Sequence, residues 1–226
     1  MWCENCQHET QQNTCEICGN ITDPVIPTDV FWCADCNIPI IRKRNDPDKE
    51  RCPICNGRAK YLAADIRAVF PEERLLLELM LDKPLAYLEC SVWANNSRYY
   101  INGKSITLTS KMYDKHSPDF LASKLKEYQE RNSYEFFNKY IEKFMSANST
   151  RFYEIVDEAH GFIQEQAAKF PIENIVLSFS GGKDSTVTAD LATKALQNPS
   201  LVHIFGNTTL EFPLTIEYAE RFREQH

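Results

Sequence analysis

The middle of the chain combines a helical pattern with two strand-like runs. A proline and two acidic residues open the run 71–80, where leucines recur on one face, so the sequence predicts a short helix. The run 85–93 predicts a strand, and Asn102-Gly103 between two short apolar runs predicts a tight hairpin. These elements predict a small α+β unit over residues 63–115.

Helical spacing dominates residues 116–171. Ser117-Pro118 opens this region, and apolar residues then recur every three or four positions. Such stripes usually face a core, so we expect these helices to cover one face of the sheet that begins at Ile175. The three stripes are Leu121, Leu125 and Tyr128; Phe136, Phe137, Tyr140, Ile141 and Phe144; and Phe152, Ile155, Val156, Ala159, Phe162 and Ile163.

The run 175–179 is apolar and rich in β-branched residues, and it stops at two glycines before a new helical pattern. This order predicts a strand, a tight turn and a helix. The first amide N–H groups of such a helix are unpaired and lie at the positive end of its dipole, which suits an anion. Gly181 and Gly182 have no Cβ, so a phosphate can approach the backbone closely.

Polar side chains around this turn suit a phosphorylated ligand. Lys183 brings a positive charge, Ser180 and Ser185 bring hydroxyl donors, and Ser180 could also cap the helix. Asp184 could orient the loop or approach a phosphate-bound Mg²⁺. The Walker A motif needs a glycine where this chain has Leu177, so the turn is a different phosphate-binding loop.

A second buried strand is predicted over residues 201–205, after a helix that ends near Asn198-Pro199. Strand, helix and strand form a βαβ unit, which predicts a parallel, right-handed crossover. The loop Asn207-Thr208-Thr209 follows the second strand, and another helix follows the loop. Ligands of open α/β sheets sit at the carboxyl ends of strands, where both the glycine turn and this loop are predicted to lie.

Eight of the nine cysteines form four Cys-x-x-Cys pairs within residues 1–62. Four thiolates hold one tetrahedral ion, so the four pairs predict two Cys₄ sites. A glycine or asparagine after two of the pairs tolerates positive φ, which turns backbone N–H groups toward the sulfurs. In chain order the sites are Cys3, Cys6, Cys15 and Cys18, then Cys33, Cys36, Cys52 and Cys55. A cross-brace, in which alternate pairs share an ion, is the alternative.

The cysteine spacing resembles that of zinc ribbons and rubredoxin-type sites. Structural zinc is the preferred metal, although iron also suits four sulfur ligands, whereas disulfides are disfavoured in a cytoplasmic chain. The metals would replace a core that so short a segment cannot build. His8, beside Cys6, is interpreted as a surface histidine because the cysteines complete the coordination, and Cys90 is interpreted as a core residue.

Composition and charge exclude some functions. The chain has 226 residues and a net charge of −7, which argues against an electrostatic grip on nucleic acid over the whole surface. Arg42-Lys43-Arg44 is a short basic run, usually a solvated loop and less often a nucleic-acid contact. No apolar run approaches the roughly 20 residues of a membrane helix, and the N-terminus lacks signal-peptide features. We therefore expect a cytoplasmic protein without a membrane partner.

Ser-Gly-Gly-Lys-Asp-Ser after a strand resembles the pyrophosphatase loop (PP-loop) of enzymes that split ATP between its α- and β-phosphates. With the following Glu-Phe-Pro-x-Thr segment, residues 172–226 resemble the phosphoadenosine phosphosulfate reductase family. The resemblance implies an α/β fold that starts a doubly wound parallel sheet of the PP-loop, HUP-like type. By that resemblance, Ser180, Gly181, Gly182, Lys183, Asp184 and Ser185 hold phosphates or sulfate of an adenine nucleotide, and Asn207, Thr208, Thr209 and Glu211 line its pocket.

Family members with fused metal ribbons and RNA-binding-like modules are similar in layout, and the unit at 63–115 faintly resembles small RNA-binding PUA-type domains. The expected domains are ribbons (1–62), the α+β unit (63–115), a helical region (116–171) and the first part of the PP-loop domain (172–226). Reductases of the family use a cysteine near the end of the domain, and this sequence stops at His226 before such a segment. Because two parallel strands leave faces and edges uncovered, we expect a fragment or a second chain that completes the sheet.

Three functions follow as hypotheses. The leading one is a reductase-type enzyme that binds ATP or phosphoadenosine phosphosulfate for sulfur transfer or reduction. The second is ATP-dependent adenylation followed by thiolation of tRNA or phosphorothioation of DNA, with the ribbons gripping nucleic acid. The third is a nucleotide-sensing or scaffold subunit whose ribbons bind a partner protein.

Overall fold

The computed structural model describes residues 1–225, apart from the side chain of Tyr113. The chain divides into two compact units, Met1–Arg151 and Phe152–His226, each of which is described by itself. The strands are β1 (Trp2–Cys3), β2 (His8–Glu9), β3 (Thr28–Cys33), β4 (Ile38–Lys43), β5 (Ala59–Ala63), β6 (Arg67–Ala68), β7 (Val92–Asn95), β8 (Arg98–Ile101), β9 (Lys104–Thr107), β10 (Val176–Phe179) and β11 (Val202–Phe205). The helices are α1 (Pro71–Met80), α2 (Ser110–Tyr113), α3 (Pro118–Tyr128), α4 (Glu135–Ala147), α5 (Ser149–Ala167), α6 (Lys183–Ala195) and α7 (Pro213–Gln225). The mixed α/β class is confirmed.

Two ribbons begin the first unit. In the first ribbon, β1 pairs with β2, and in the second, β3 lies between β4 and β5 in an antiparallel sheet. The second ribbon has a small core in which Phe31, Ile38 and Ile40 pack against the cysteines. Apolar side chains and thiols therefore share one interior, as expected of a segment too short for an ordinary core.

The α+β unit follows the second ribbon. Its sheet has the order β6-β7-β8-β9, and Leu77 and Met80 of α1 pack in one core with residues of this sheet. The predicted helix at 71–80 is confirmed, with its proline in the first turn. The predicted hairpin is also confirmed, because Asn102 and Gly103 both have positive φ, 48° and 78°, as a type I′ turn requires.

The strand predicted over 85–93 is wrong for most of its length, since β7 begins only at Val92. Residues 84–89 form turns instead, and Leu85 has a φ of 62°. The cause is Glu78 of α1, whose buried carboxylate accepts hydrogen bonds from the backbone N–H groups of Leu85 (2.7 Å) and Tyr87 (2.8 Å). Arg74 pairs with this carboxylate (3.4 Å) and donates to Leu88 O (3.0 Å), so a buried ion pair shapes the segment.

Two asparagines and a glycine join the second ribbon to its neighbours in the first unit. Gly103 lies so close to Trp32 that a Cβ there would be 2.5 Å from the indole Nε1. Beside it, Asn102 Oδ1 accepts from Asn37 Nδ2 (2.8 Å). Asn148, after α4, accepts from Ile41 N (2.7 Å) and donates to Pro39 O (3.2 Å) along the edge of β4. The ribbon, the α+β sheet and α4 therefore form one compact unit.

The second unit contains a parallel pair of strands. β10 and β11 align with Phe179 opposite Phe205, and Phe179 stacks on Phe222 of α7 with ring centroids 4.1 Å apart. The expectation that the third apolar stripe faces a core is wrong in this unit, because Phe152 and Phe162 are 42% and 64% exposed. Helix α5 lies beside α6, where Gln164 Nε2 donates to Ala195 O (2.9 Å), and Phe152 borders an open apolar cleft of about 890 Å³.

Replacement of Glu78 with glutamine should destabilise the first unit. The variant leaves Arg74 buried without its counter-charge, a change that typically costs about 3–5 kcal/mol. Urea denaturation followed by circular dichroism would measure the loss. Glu127→Gln, at an exposed ion pair with Lys124, serves as the control and should leave the midpoint nearly unchanged. Equal midpoints for the two variants would contradict the role given to the buried pair.

Candidate functional site

The glycine turn after β10 brings the backbone close to α7 and leads directly into α6. Gly181 adopts a φ of +73°, and a Cβ there would lie 3.1 Å from Thr215 Cγ2, so only glycine fits without strain. Gly182 is the N-cap of α6, and among the described residues no side chain caps that helix. The amide N–H groups of the first turn of α6 are therefore left for solvent or a ligand.

The hydroxyl groups of two serines form hydrogen bonds with the backbone of this turn. Ser185 Oγ donates to Gly182 O (3.0 Å) and accepts from Ser180 N (3.2 Å). The suggestion that Ser180 caps the helix is replaced by a smaller contact, in which its Oγ accepts from Gly182 N at 3.4 Å. Lys183 and Asp184 point into solvent, 87% and 90% exposed, and pair at 2.5 Å. The charged residues are thus free to reorient toward a ligand.

The loop after β11 is held by its own polar residues. Asn207 Oδ1 accepts from Thr209 N (2.8 Å), and the carboxylate of Glu211 accepts from the hydroxyl (2.7 Å) and the N–H (3.1 Å) of Thr208. The Thr208 hydroxyl bond lowers the pKa of Glu211 below its ordinary value. Glu211 is therefore an anion that shapes the loop, and Thr209, with a φ of 68°, turns the chain toward α7.

The two loops lie at the same edge of the sheet. Parallel pairing in register ends β10 at Phe179 and β11 at Phe205, which are direct partners. The first turns of α7 then pack on the glycine turn through Thr215, and Thr186 Oγ1 lies 3.1 Å from Tyr218 Oη. The structure thus brings the predicted residues at 180–185 beside the helix that follows the predicted residues at 207–211.

Comparison with known proteins supports a functional assignment of this segment. Residues 174–226 match the phosphoadenosine phosphosulfate reductase domain family. The match spans 53 of the 226 residues, so it concerns this PP-loop segment and not the ribbons or the α+β unit. The PP-loop segment thus resembles a nucleotide-utilising family, as its motif predicted.

A curated relative gives a second, weaker indication. Over 79 residues the chain is 33% identical to a protein described as "Probable FAD synthase" from Caenorhabditis elegans. The aligned region is 35% of this chain and 13% of that relative, so the chain spans only a small part of its length. No solved structure matches the chain. Within the described residues, no helix has the length and apolarity needed to cross a bilayer.

The cysteines gather into two clusters in chain order rather than as a cross-brace. In the first ribbon, the donor atoms of Cys3, Cys6, Cys15 and His8 all lie within 4.8 Å of one another, and Cys18 Sγ is 3.5 Å from Cys3 Sγ. In the second ribbon, the four thiols of Cys33, Cys36, Cys52 and Cys55 form a similar set. Each cluster could hold a metal ion.

The sulfur spacing fits tetrahedral coordination. Cys33 and Cys55 sulfurs are 3.5 Å apart, and Cys36 and Cys52 sulfurs 3.7 Å, close to the about 3.8 Å edge of a tetrahedron with metal–sulfur bonds of about 2.3 Å. All nine cysteines are free thiols. Burial raises the pKa of Cys33 to about 11, so metal binding must displace the proton of this thiol.

Backbone donors around the sulfurs complete the fit. Cys6 N–H points to Cys3 Sγ and Cys36 N–H to Cys33 Sγ, each at 3.4 Å. Gly57 N–H points to Cys55 Sγ at 3.4 Å after a turn in which Asn56 has a φ of 57°. Such N–H···S contacts stabilise thiolates bound to a metal. The positive φ expected after the second cysteine is confirmed at Gly19 (74°) and Asn56.

The basic run at 42–44 is largely used within the protein. Arg44 bonds Glu4 (2.8 Å) and Asp29 (3.2 Å), which ties the first ribbon to the second, and Arg42 lies 3.7 Å from Asp46. These ion pairs do not favour a nucleic-acid contact by this run.

Cys90 is half-buried and accepts a hydrogen bond from Asn102 Nδ2 (3.3 Å), and burial raises its pKa. Cys90 is therefore poorly suited to act as a nucleophile.

The structure corrects the interpretation of His8 as a surface histidine, because both of its ring nitrogens are buried and one lies close to three of the thiols. The residue sits opposite Cys3 in the β1–β2 ladder, which places both side chains on one face of the ribbon. The Cys-x-x-Cys-x-His spacing was the signal available in the sequence, whereas the register that pairs His8 with Cys3 could not be predicted from such short strands.

We expect metal removal to unfold the ribbons. Full titration of the thiols with a mercurial should release two metal ions per chain and reduce the near-ultraviolet circular dichroism of Trp2 and Trp32, because both are buried beside the clusters. Elemental analysis would measure the released metal. Recovery of the signal after thiol reduction and metal addition is the control, and an unchanged spectrum after complete release would contradict a structural role.

Proposed function

We propose that the PP-loop segment binds an adenine nucleotide or adenine nucleotide sulfate and serves an enzyme of the phosphoadenosine phosphosulfate reductase type. The observation that carries the proposal is the packing of Gly181 against Thr215 and Tyr218 within a segment that matches this family. This packing joins the glycine turn to the helix after the second loop, so two motifs distant in sequence lie at one edge of the sheet.

Different residues at this edge would contact different parts of the nucleotide. The N–H groups at the start of α6 would receive the terminal phosphate or sulfate oxygens, and Lys183 would neutralise their charge. The hydroxyls of Ser180 and Ser185 add donors, and Asp184 could approach a Mg²⁺ ion bound to the phosphates. Asn207, Thr208 and Thr209, ordered by Glu211, would line the nucleoside side of the pocket.

Reduction would require one thiolate that attacks the sulfate sulfur and breaks its S–O bond to the nucleotide phosphate, and a second thiol that then releases sulfite as the two thiols form a disulfide. Among the described cysteines, eight lie in the metal clusters, and Cys90 belongs to the first unit with a raised pKa. We therefore propose nucleotide and sulfate binding for the PP-loop segment and assign the attacking thiol to none of these nine cysteines.

A second candidate is ATP-dependent adenylation followed by sulfur insertion into tRNA or DNA. The similarity to a relative named as a FAD synthase favours only the adenylation step of this candidate, because making FAD joins an adenylyl group to a flavin nucleotide. The net charge of −7 and the internally paired basic run give no support to a broad nucleic-acid surface.

The ribbon metals are proposed to be structural zinc ions. Four sulfur ligands leave no open coordination position, which suits folding rather than catalysis. The free thiols also fit a reducing compartment, and we propose the cytoplasm.

Lys183→Ala should weaken nucleotide binding about tenfold or more, because it removes a charge-assisted contact with phosphate. Calorimetric titration with ATP and with phosphoadenosine phosphosulfate would measure the affinity. Lys194→Ala is the matched control, since Lys194 lies at the other end of α6 and pairs with Asp190 at 2.8 Å. Equal affinities for the two variants would remove the glycine turn as the binding site.

Reaction products should separate the two candidate functions. Pyrophosphate release from ATP would support adenylation, whereas tight binding of phosphoadenosine phosphosulfate without ATP cleavage would support the reductase type. A gel shift with tRNA and duplex DNA at two salt concentrations would test nucleic-acid binding in parallel.

A further inference from the structure

The two ribbons are copies of one local design. Each starts with a tryptophan and a cysteine, places the second cysteine three residues later, and turns at a residue of positive φ, Gln7 (52°) in the first and Asn37 (59°) in the second. The next residue pairs with the first cysteine across the ladder: His8 with Cys3, and Ile38 with Cys33. The ribbons therefore differ at one structurally equivalent position beside the metal cluster.

In the second ribbon, the position equivalent to His8 has a purely structural role. Ile38 is 0% exposed and packs with Phe31 and Ile40 in the core around the thiols. An apolar side chain satisfies this location fully. A histidine there brings two ring nitrogens that need partners, so its presence in the first ribbon requires an explanation.

His8 lacks the hydrogen bonds that would explain a structural histidine. Both ring nitrogens are buried, and neither has a hydrogen-bond partner among residues 1–225. Glu16 Oε1 lies 3.9 Å from Nε2, outside hydrogen-bond range, and Glu16 Oε2 accepts from Thr10 Oγ1 at 3.3 Å. A metal-bound histidine commonly donates its second N–H to a carboxylate, and Glu16 stands where a small shift would make that bond.

The imidazole lies within the donor set. One nitrogen of His8 lies within 4.8 Å of the sulfurs of Cys3, Cys6 and Cys15. Cys18 is the remaining donor and is less buried than Cys3 and Cys15. The first cluster thus offers five donor atoms to an ion that takes four.

We propose that His8 is an alternative fourth ligand of the first metal site, which holds its ion through Cys3, Cys6, Cys15 and either Cys18 or His8. The second site has no such substitute, because Ile38 occupies the equivalent position. The first ribbon therefore keeps its zinc when Cys18 leaves, whereas the second ribbon loses its zinc when the equivalent Cys55 leaves.

Metal stoichiometry in four full-length variants tests the proposal. After purification with zinc, Cys18→Ser should keep two ions per chain, while Cys55→Ser, the matched control, should fall to one. His8→Ile, which copies the second ribbon, should keep two through Cys18, and the double variant Cys18→Ser/His8→Ile should fall to one. A single ion in Cys18→Ser overturns the proposal.

A water molecule could replace Cys18 as the fourth ligand and keep the ion bound, so the metal count alone does not identify the ligand. X-ray absorption at the zinc edge identifies it directly. Cys18→Ser should show imidazole scattering that is absent from the double variant. Absence of imidazole scattering in Cys18→Ser overturns the proposal whatever the stoichiometry.

If Cys18→Ser does not fold, the proposal can be tested by the rate at which a chelator removes zinc. This rate would be compared between His8→Ile and the unchanged chain. Release of one of the two ions should be faster in His8→Ile, because no imidazole replaces a departing Cys18. Equal release rates overturn the proposal.

Discussion

The first unit depends on one constraint, which is that four metal-ligating side chains meet around a single point in each ribbon. A segment of about 60 residues has too little apolar area for a stable core, and in the second ribbon the buried side chains pack directly on the sulfurs. Without an ion, thiols that are 3.5–3.7 Å apart gain only weak S–H contacts. With an ion bound, the same geometry would fix the positions of β3, β4 and β5. Asn148 then hydrogen-bonds to the edge of this sheet, and Gly103 packs against the indole ring of Trp32.

The second unit depends on a different constraint, the parallel pairing of two strands in register. Once Phe179 and Phe205 are partners, both loops leave the sheet at one edge. Gly181 can then approach Thr215 closely, and this contact sets the entrance of α7 beside the start of α6. Charge plays little part in building this edge, because Lys183 and Asp184 are almost fully exposed. The fold fixes the backbone of this edge, and the charged side chains of Lys183 and Asp184 remain exposed.

Local signals explain what could be predicted from the sequence. The hairpin at Asn102-Gly103, the helix that starts at Pro71 and the strand–turn–helix at 175–185 depend on backbone preferences of neighbouring residues, and the structure contains all three. The turns at 84–89 could not be predicted, because they form around the carboxylate of Glu78 in the preceding helix. The place of His8 beside the thiols likewise depends on the register of two-residue strands, which periodicity cannot reveal. The residues assigned to the nucleotide and the domain boundaries at 62, 115 and 171 stay predictions.

The tip of the β8–β9 hairpin has a consequence for how the first unit responds to loss of metal. Asn102 accepts from Asn37 in the turn that follows Cys36 and also from Ser91 N (2.9 Å), at the start of the neighbouring sheet. Gly103 rests on Trp32, which immediately precedes Cys33. Disorder in the second metal turn would therefore remove both the hydrogen-bond donor and the surface that hold the hairpin tip. A metal ion held by the second cluster would therefore also support the α+β sheet, and loss of that ion would weaken a region that contains none of its ligands.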